Sequence, residues 1–156
     1  IPSIKDEEEK MELEPLKILG KINNNKIDFA EFKISAQCNR VAVINGHTEC
    51  VSIKTIRKTT KEEIISVWKK YTSIPQQLNL PFAPKKPIHY FEKENYPQPR
   101  IHRNVENGMA LSIGRLRECP IFDYKFVILS HNTIRGAAGC AILNAELLIT
   151  KYKNLI

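Results

Sequence analysis

The residue types able to do chemistry are few and widely spread. His47 follows an Asn45-Gly46 pair, a composition that favours a tight turn and so exposes the imidazole. An exposed imidazole titrates near neutral pH and can act as a general acid and base, although a lone histidine is more often structural. Arg40, seven residues earlier, carries the planar fork that grips a carboxylate through two hydrogen bonds; on a strand it could as well face solvent. Glu7 and Lys10 lie three apart and share one face of any helix that contains them, and an opposed pair at that spacing is also the ordinary decoration of a solvated surface. Cys38, Cys50, Cys119 and Cys140 are scattered, with no Cys-x-x-Cys pair and no histidine at zinc-ligand spacing. That spacing predicts no metal site and free thiols in a reducing compartment.

Those side chains need elements to hold them. Lys5 to Leu19 reads as a helix: Met11, Ile18 and Leu19 fall near one face, Asp6 to Glu9 crowd the first turn, and Gly20 can stop it, with Pro15 expected to kink its second half. From Phe29 to Ile56 the apolar residues alternate: Phe32, Ile34 and Ala36, then Val41 and Val43, then Val51, Ile53 and Thr55. Period two predicts three strands, with Asn45-Gly46 as the hairpin turn between the second and third. Thr60 and Glu63 form a capping box that opens a helix to about Tyr71, with Ile64, Val67 and Trp68 as its buried stripe.

Ser73 to Arg100 is rich in proline and predicts little regular structure beyond a short strand at Ile88 to Phe91. So long an excursion fits a subunit interface. Gly108 to Leu116 and Phe122 to Leu129 read as two further strands, after which Asn132 is a good helix cap and Gly136-Ala137-Ala138-Gly139 opens an apolar helix through Leu148. Small residues at such a start allow a backbone or ligand to approach closely. The sum is an α+β fold, a mainly antiparallel sheet with helices packed on it.

Composition sets outer limits. With 156 residues, 42% of them hydrophobic and 26% charged, the chain can bury a core and does not resemble a disordered segment. The charge of +7 raises the possibility of an anionic partner, but Lys, Asn and Ile are common throughout, which points to a general bias. No stretch approaches the roughly 18 apolar residues of a membrane span, and no secretion signal is visible. The expectation is a cytoplasmic protein with no membrane partner, and the first residue, Ile1, reads as the start of a piece of something longer.

Four ordered motifs carry a resemblance. Cys38-Asn39-Arg40-Val41-Ala42-Val43-Ile44-Asn45-Gly46-His47-Thr48-Glu49 looks like the segment of aspartate-semialdehyde dehydrogenases in which an arginine precedes a histidine by seven residues. Glu7-Glu8-Glu9-Lys10-Met11, ending in Lys17-Ile18-Leu19-Gly20, is similar to that family's upstream helix. Ile113-Gly114-Arg115-Leu116-Arg117, and Asn132-Thr133-Ile134-Arg135-Gly136-Ala137-Ala138-Gly139 with Leu143-Asn144-Ala145-Glu146-Leu147-Leu148, resemble its C-terminal strand and helix, in the version of the archaeal and fungal branch.

The resemblance implies a reaction in which a thiolate attacks an aldehyde, hydride passes to NADP, and phosphate releases the acyl group as aspartyl phosphate, run mostly backwards in the cell for lysine, threonine and methionine biosynthesis. In that scheme His47 is the acid and base, Arg40 holds the substrate α-carboxylate, Glu7 takes the α-ammonium group, Lys10 meets the phosphate and Asn132 lies near the nicotinamide. Arg40 and His47 would open into one pocket, facing Glu7 and Lys10. Residues 1–131 would form the substrate-binding and dimerisation domain of a homodimer or homotetramer, and 132–156 a helix returning to an NADP-binding Rossmann domain upstream. The family's nucleophilic cysteine and its glycine-rich dinucleotide turn have no match here, so the chain alone is expected to be inactive.

Two other readings compete. A malonyl-CoA reductase shares the Pro75-Gln76-Gln77, Pro97-Gln98-Pro99 and Arg135-to-Gly139 features, and fold likeness does not fix a substrate. A nucleic-acid-binding module would use Lys54, Arg57, Lys58, Lys61, Lys69 and Lys70, but that run lacks interleaved aromatics for base stacking, so no nucleic-acid partner is expected.

Overall fold

The computed structural model describes residues 1–152 and divides the chain into two compact units, Ile1–Ala42 and Val43–Ile156. The last four positions of the helix expected over 132–156 lie outside the described residues.

The first unit is built on helix α1 (Glu7–Ile18), which runs through Pro15 without a break. Pro15 forgoes only its own donor, and its carbonyl still accepts from Leu19 at 3.0 Å. The face expected to pack is the wrong one: Met11, Ile18 and Leu19 are exposed, whereas Glu8, Glu12, Pro15 and Leu16 are half-buried. Strands β1 (Lys21–Asn23) and β2 (Lys26–Asp28) follow as an antiparallel hairpin that the sequence reading missed. Asn24 and Asn25 both take positive φ, 48° and 60°, as a two-residue turn of the kind favoured between twisted strands demands.

The strands expected over Phe29 to Val43 do not form. The segment is extended, which is why its alternation is real: Ile34, Ala36 and Cys38 are half-buried and their neighbours exposed. Its amides are taken by carboxylates instead of a neighbouring strand. Ala36 N–H donates to Glu12 Oε1 at 2.9 Å and Cys38 N–H to Glu8 Oε1 at 2.8 Å. The match is geometric, since one helical step of four residues advances about 6 Å and two extended residues advance about 6.6 Å.

The second unit is an α+β fold whose sheet is mainly antiparallel, of order β3-β6-β5-β4. Its strands are β3 (His47–Ile53), β4 (Ile88–Phe91), β5 (Leu111–Glu118) and β6 (Tyr124–Ser130), and only β4 with β5 is parallel. The Asn45-Gly46 pair makes no hairpin; β3 begins directly after it and pairs β6, so that His47 lies opposite Ser130. Helix α2 (Lys61–Lys70) opens on the expected capping box, Thr60 Oγ1 accepting from Glu63 N–H at 3.2 Å and Glu63 Oε2 from Thr60 N–H at 3.1 Å. Ile64, Ile65 and Trp68 press on one sheet face against Ile113, Leu116 and Phe126, the Trp68 and Phe126 rings meeting edge to face at 5.0 Å. Val67 points away and is exposed.

The proline-rich stretch holds two short helices, α3 (Ile74–Gln77) and α4 (Pro99–His102), besides the expected β4. It also covers the opposite face of β5. Gly114 has no side chain because the Tyr96 carbonyl oxygen occupies the place a Cβ would take. Beyond Gly114 the β5–β6 register slips, with Arg115 at φ 57° in a bulge.

After β6 the chain makes a π-helical turn over Ile134–Ala138 and then helix α5 (Gly139–Lys151). Leu143 of α5 joins Leu80 and Met109 in a second apolar cluster. Asn132 does not cap this helix; buried His131 does, its Nδ1 accepting from Ile134 N–H at 3.3 Å.

Candidate functional site

The five residues expected to act fall into two groups, each organised within its own unit. In the first, Glu7 opens α1 and Lys10 stands one turn on, its Nζ 4.0 Å from Glu7 Oε2. Both side chains are exposed, 56% for Lys10 and 41% for Glu7, so this pair contributes little stability and leaves both charges available to a ligand. Arg40 belongs to the same unit by construction of the backbone: its N–H donates to the Ile1 carbonyl at 2.9 Å, and two residues earlier Cys38 is held by Glu8. The backbone of Arg40 is thus fixed within the unit that carries Glu7 and Lys10.

The second group is His47 and Asn132, 85 residues apart in sequence and joined through Gly46. Gly46 N–H donates to Asn132 Oδ1 at 3.0 Å. Gly46 itself sits at φ 115°, a conformation that L side chains rarely adopt, with Leu129 Cδ1 and Pro99 Cβ only 3.2 and 3.5 Å from where a Cβ would be. The imidazole of His47 is exposed at the start of β3. Asn132 accepts from Gly46 through Oδ1, so its amide N–H groups are the donors it can still offer.

Several structurally important residues escaped sequence reasoning. Glu8 and Glu12 were recognisable only as an acidic i,i+4 pair, and Gly46 only as a turn residue. Cys119, at the turn between β5 and β6, has its thiol pulled below the ordinary range by the backbone amides of Phe122 and Ile121, with Ser52 and Lys125 adding to the effect. An open depression lined by Glu14, Lys17, Ile18, Gly20, Ile22 and Ile27 contains none of the five expected residues. Among the described residues no three His, Cys, Asp or Glu side chains cluster as a metal site would require, no two cysteines are bridged, and no helix is long and apolar enough to cross a membrane.

Residues 1–135 match the family described as Semialdehyde dehydrogenase, dimerisation domain. The chain is 48% identical to aspartate-semialdehyde dehydrogenase of Archaeoglobus fulgidus over 96% of its own length and 42% of that protein, and 47% identical to the Schizosaccharomyces pombe enzyme of the same name over 97% and 44%. It superposes on the crystal structure of aspartate semialdehyde dehydrogenase with NADP from Candida albicans with a TM-score of 0.89 and 42% identity, covering all of this chain and 45% of that one. A Vibrio cholerae aspartate semialdehyde dehydrogenase II shares the fold at a TM-score of 0.59 and 22% identity. The chain thus spans less than half the length of the relatives it matches. With residues 1–135 matched to that family and the whole chain superposing on one of the enzymes at a TM-score of 0.89, the chain belongs to the semialdehyde dehydrogenase dimerisation-domain family.

Proposed function

We propose that this chain is the substrate-binding and dimerisation part of an NADP-dependent aspartate-semialdehyde dehydrogenase of the archaeal and fungal branch, acting in the cytoplasm in lysine, threonine and methionine biosynthesis. The observation that carries the proposal is the identity of 48% and 47% to enzymes of that name over almost the whole chain. In this reading Arg40 grips the substrate α-carboxylate with its fork, Glu7 accepts from the α-ammonium group, and Lys10 meets the phosphate as a point charge. His47 takes and returns the proton of the oxygen on the carbon under attack, so that the tetrahedral adduct with a cysteine thiolate can form and collapse. None of the four cysteines here matches the family nucleophile, so another part of the protein supplies that thiolate. Bound NADP supplies the hydride acceptor, or the donor in the biosynthetic direction, and Asn132 would steady its carboxamide through the amide N–H groups left over from Gly46.

Residues 1–131 then serve substrate binding and pairing of subunits, with Ser73 to Arg100 at the interface of a homodimer or homotetramer. Residues from 132 onward return to the cofactor domain. The exposed Ile142 and Ile149, seven residues apart on one face of α5, support that docking role.

The test is the full-length protein assayed for phosphate-dependent reduction of NADP by aspartate semialdehyde, beside NADPH oxidation with malonyl-CoA. Turnover with the semialdehyde, loss of it in His47→Ala, and none from residues 1–156 alone are expected. Preference for malonyl-CoA would move the assignment to malonyl-CoA reductase, and rapid turnover by residues 1–156 would overturn it.

A further inference from the structure

We infer that Asn132 is a positioning residue for His47, acting through the backbone of Gly46, in addition to any contact it makes with the cofactor; the inference rests on the acid and base reading of His47 above. Three restraints converge on the residue preceding the imidazole. Gly46 adopts a φ of 115° that no other residue holds easily, the place a Cβ would take lies only 3.2 Å from Leu129 Cδ1 and 3.5 Å from Pro99 Cβ, and its amide is fixed at 3.0 Å by the Asn132 side chain. The last of these is the one that depends on a side chain.

The topology explains why it is needed. The β3–β6 ladder ends at the pair His47 and Ser130, and just beyond it the β6 chain turns away into the π-helical turn. The amide of Gly46 would then meet no backbone carbonyl on that side. The carboxamide of Asn132, two residues past Ser130, supplies the missing rung, so that the ladder runs one bond further and His47 is an internal position of the pairing instead of a frayed end. An end residue of an edge strand samples several orientations, and a general base misplaced by about 1 Å can lose up to ~100-fold in rate. His47 is exposed, so packing of its side chain can compensate little.

A carboxamide divides the two roles by atom: Oδ1 holds Gly46, whereas only the N–H groups can donate to a cofactor. Asn132→Asp keeps the oxygen and removes the donors, and Asn132→Ala removes both. In the full-length enzyme, each variant at its own pH optimum, both variants are expected to raise the KM for NADP, since both lose the donors, whereas kcat at saturating NADP should be about tenfold lower in Asn132→Ala than in Asn132→Asp. Hydrogen exchange at the Gly46 amide should quicken in the alanine variant and not in the aspartate one.

A kcat for Asn132→Ala equal to wild type, a loss confined to the KM for NADP, or an aspartate variant as slow as alanine would each overturn the positioning role. If the alanine variant does not fold, Asn132→Leu, close in size and equally unable to accept from Gly46, takes its place: a kcat about tenfold below that of Asn132→Asp supports the role and an equal kcat removes it. His47→Ala reads the underlying assignment separately. If it keeps more than a tenth of the wild-type kcat, the acid and base reading fails and the role of Asn132 falls with it; if it is inactive while Asn132→Ala is unimpaired, only the positioning role is lost.

Discussion

The backbone amide of Cys38 donates to the carboxylate of Glu8, 30 residues earlier, at 2.8 Å, and Glu12 repeats the contact with Ala36 one turn along the helix. A helix face of two carboxylates thereby does for the 31–42 segment what a neighbouring strand would do, and it fixes the stretch that ends in Arg40.

Glu8→Ala should therefore cost about 1.5 kcal/mol of stability, the low end of the range for a hydrogen bond to a charged acceptor because the site is only half-buried, and the Glu8→Ala, Glu12→Ala pair roughly twice that. Glu8→Gln, which keeps an accepting oxygen, should lose less than half as much. Urea unfolding of the full-length protein measures both, and because Arg40 is two residues away the alanine variant should also raise the KM for the semialdehyde with kcat nearly unchanged.

Arg40→Lys replaces a two-pronged donor by a single point charge. We expect the KM for the semialdehyde to rise about tenfold or more with kcat within about threefold, since the lost contact is made equally in the ground and transition states. Steady-state kinetics on the full-length enzyme test this, and an unchanged KM would take the α-carboxylate away from Arg40.

Gly114→Ala would drive a methyl group into the Tyr96 carbonyl oxygen, a backbone atom that cannot swing aside. The cost should be about 1–3 kcal/mol, the usual penalty for overfilling a packed site, seen as a lower urea midpoint with an unchanged slope. A variant as stable as the parent would mean that the Tyr96 to His102 segment can lift off the sheet at no cost.

Thr60→Ala removes one half of the cap of α2 and should cost about 1 kcal/mol. The other half brings a pH dependence. The hydroxyl of Thr59, then the amide of Thr60 and the charge of Arg57, hold Glu63 below its usual value, and the amide and hydroxyl of Thr55, helped by Lys54, do the same for Asp123. A carboxyl whose folded pKa is lowered stabilises the fold above its unfolded pKa, about 4, and loses that contribution as pH falls through the folded value. Melting temperature should therefore drop on acidification from pH ~5 to pH ~3, and Glu63→Gln and Asp123→Asn should each flatten that drop.

Much of the second unit is legible in the sequence because its signals are local. Thr60 and Glu63 announce a helix start wherever they stand three apart before an apolar stripe, and Ile88 to Phe91 is a strand among prolines that forbid much else. The first unit defeats the same rules for a physical reason. Alternation reports an extended chain with one covered side, and Ile34, Ala36 and Cys38 satisfy it while lying on carboxylates of a helix. The β1–β2 hairpin is invisible because its strands are too polar to alternate, leaving only Asn24-Asn25, which resembles composition bias. Asn45-Gly46 has the chemistry of a turn, and Gly46 does use the left-handed region, but the partner of β3 lies about 80 residues on, where no local pattern can point. For the candidate site, residue types alone left Arg40, His47, Glu7 and Lys10 open between a functional and a structural role, and only the family resemblance singled them out; the bond between Asn132 and Gly46 spans 86 residues and needed the fold.

The π-helical turn over Ile134–Ala138 accommodates one residue more than an α turn would. Deleting one residue there would close the wide turn to ordinary pitch and leave the downstream helix facing the same way, because its i→i+5 bonds, Gly136 to His131 and Ala138 to Thr133, would become i→i+4 bonds. Leu143 would still meet Leu80 and Met109. A homologue one residue shorter at this point could therefore keep the same α5, whereas the same deletion inside Gly139–Lys151 would turn every later side chain by about 100°.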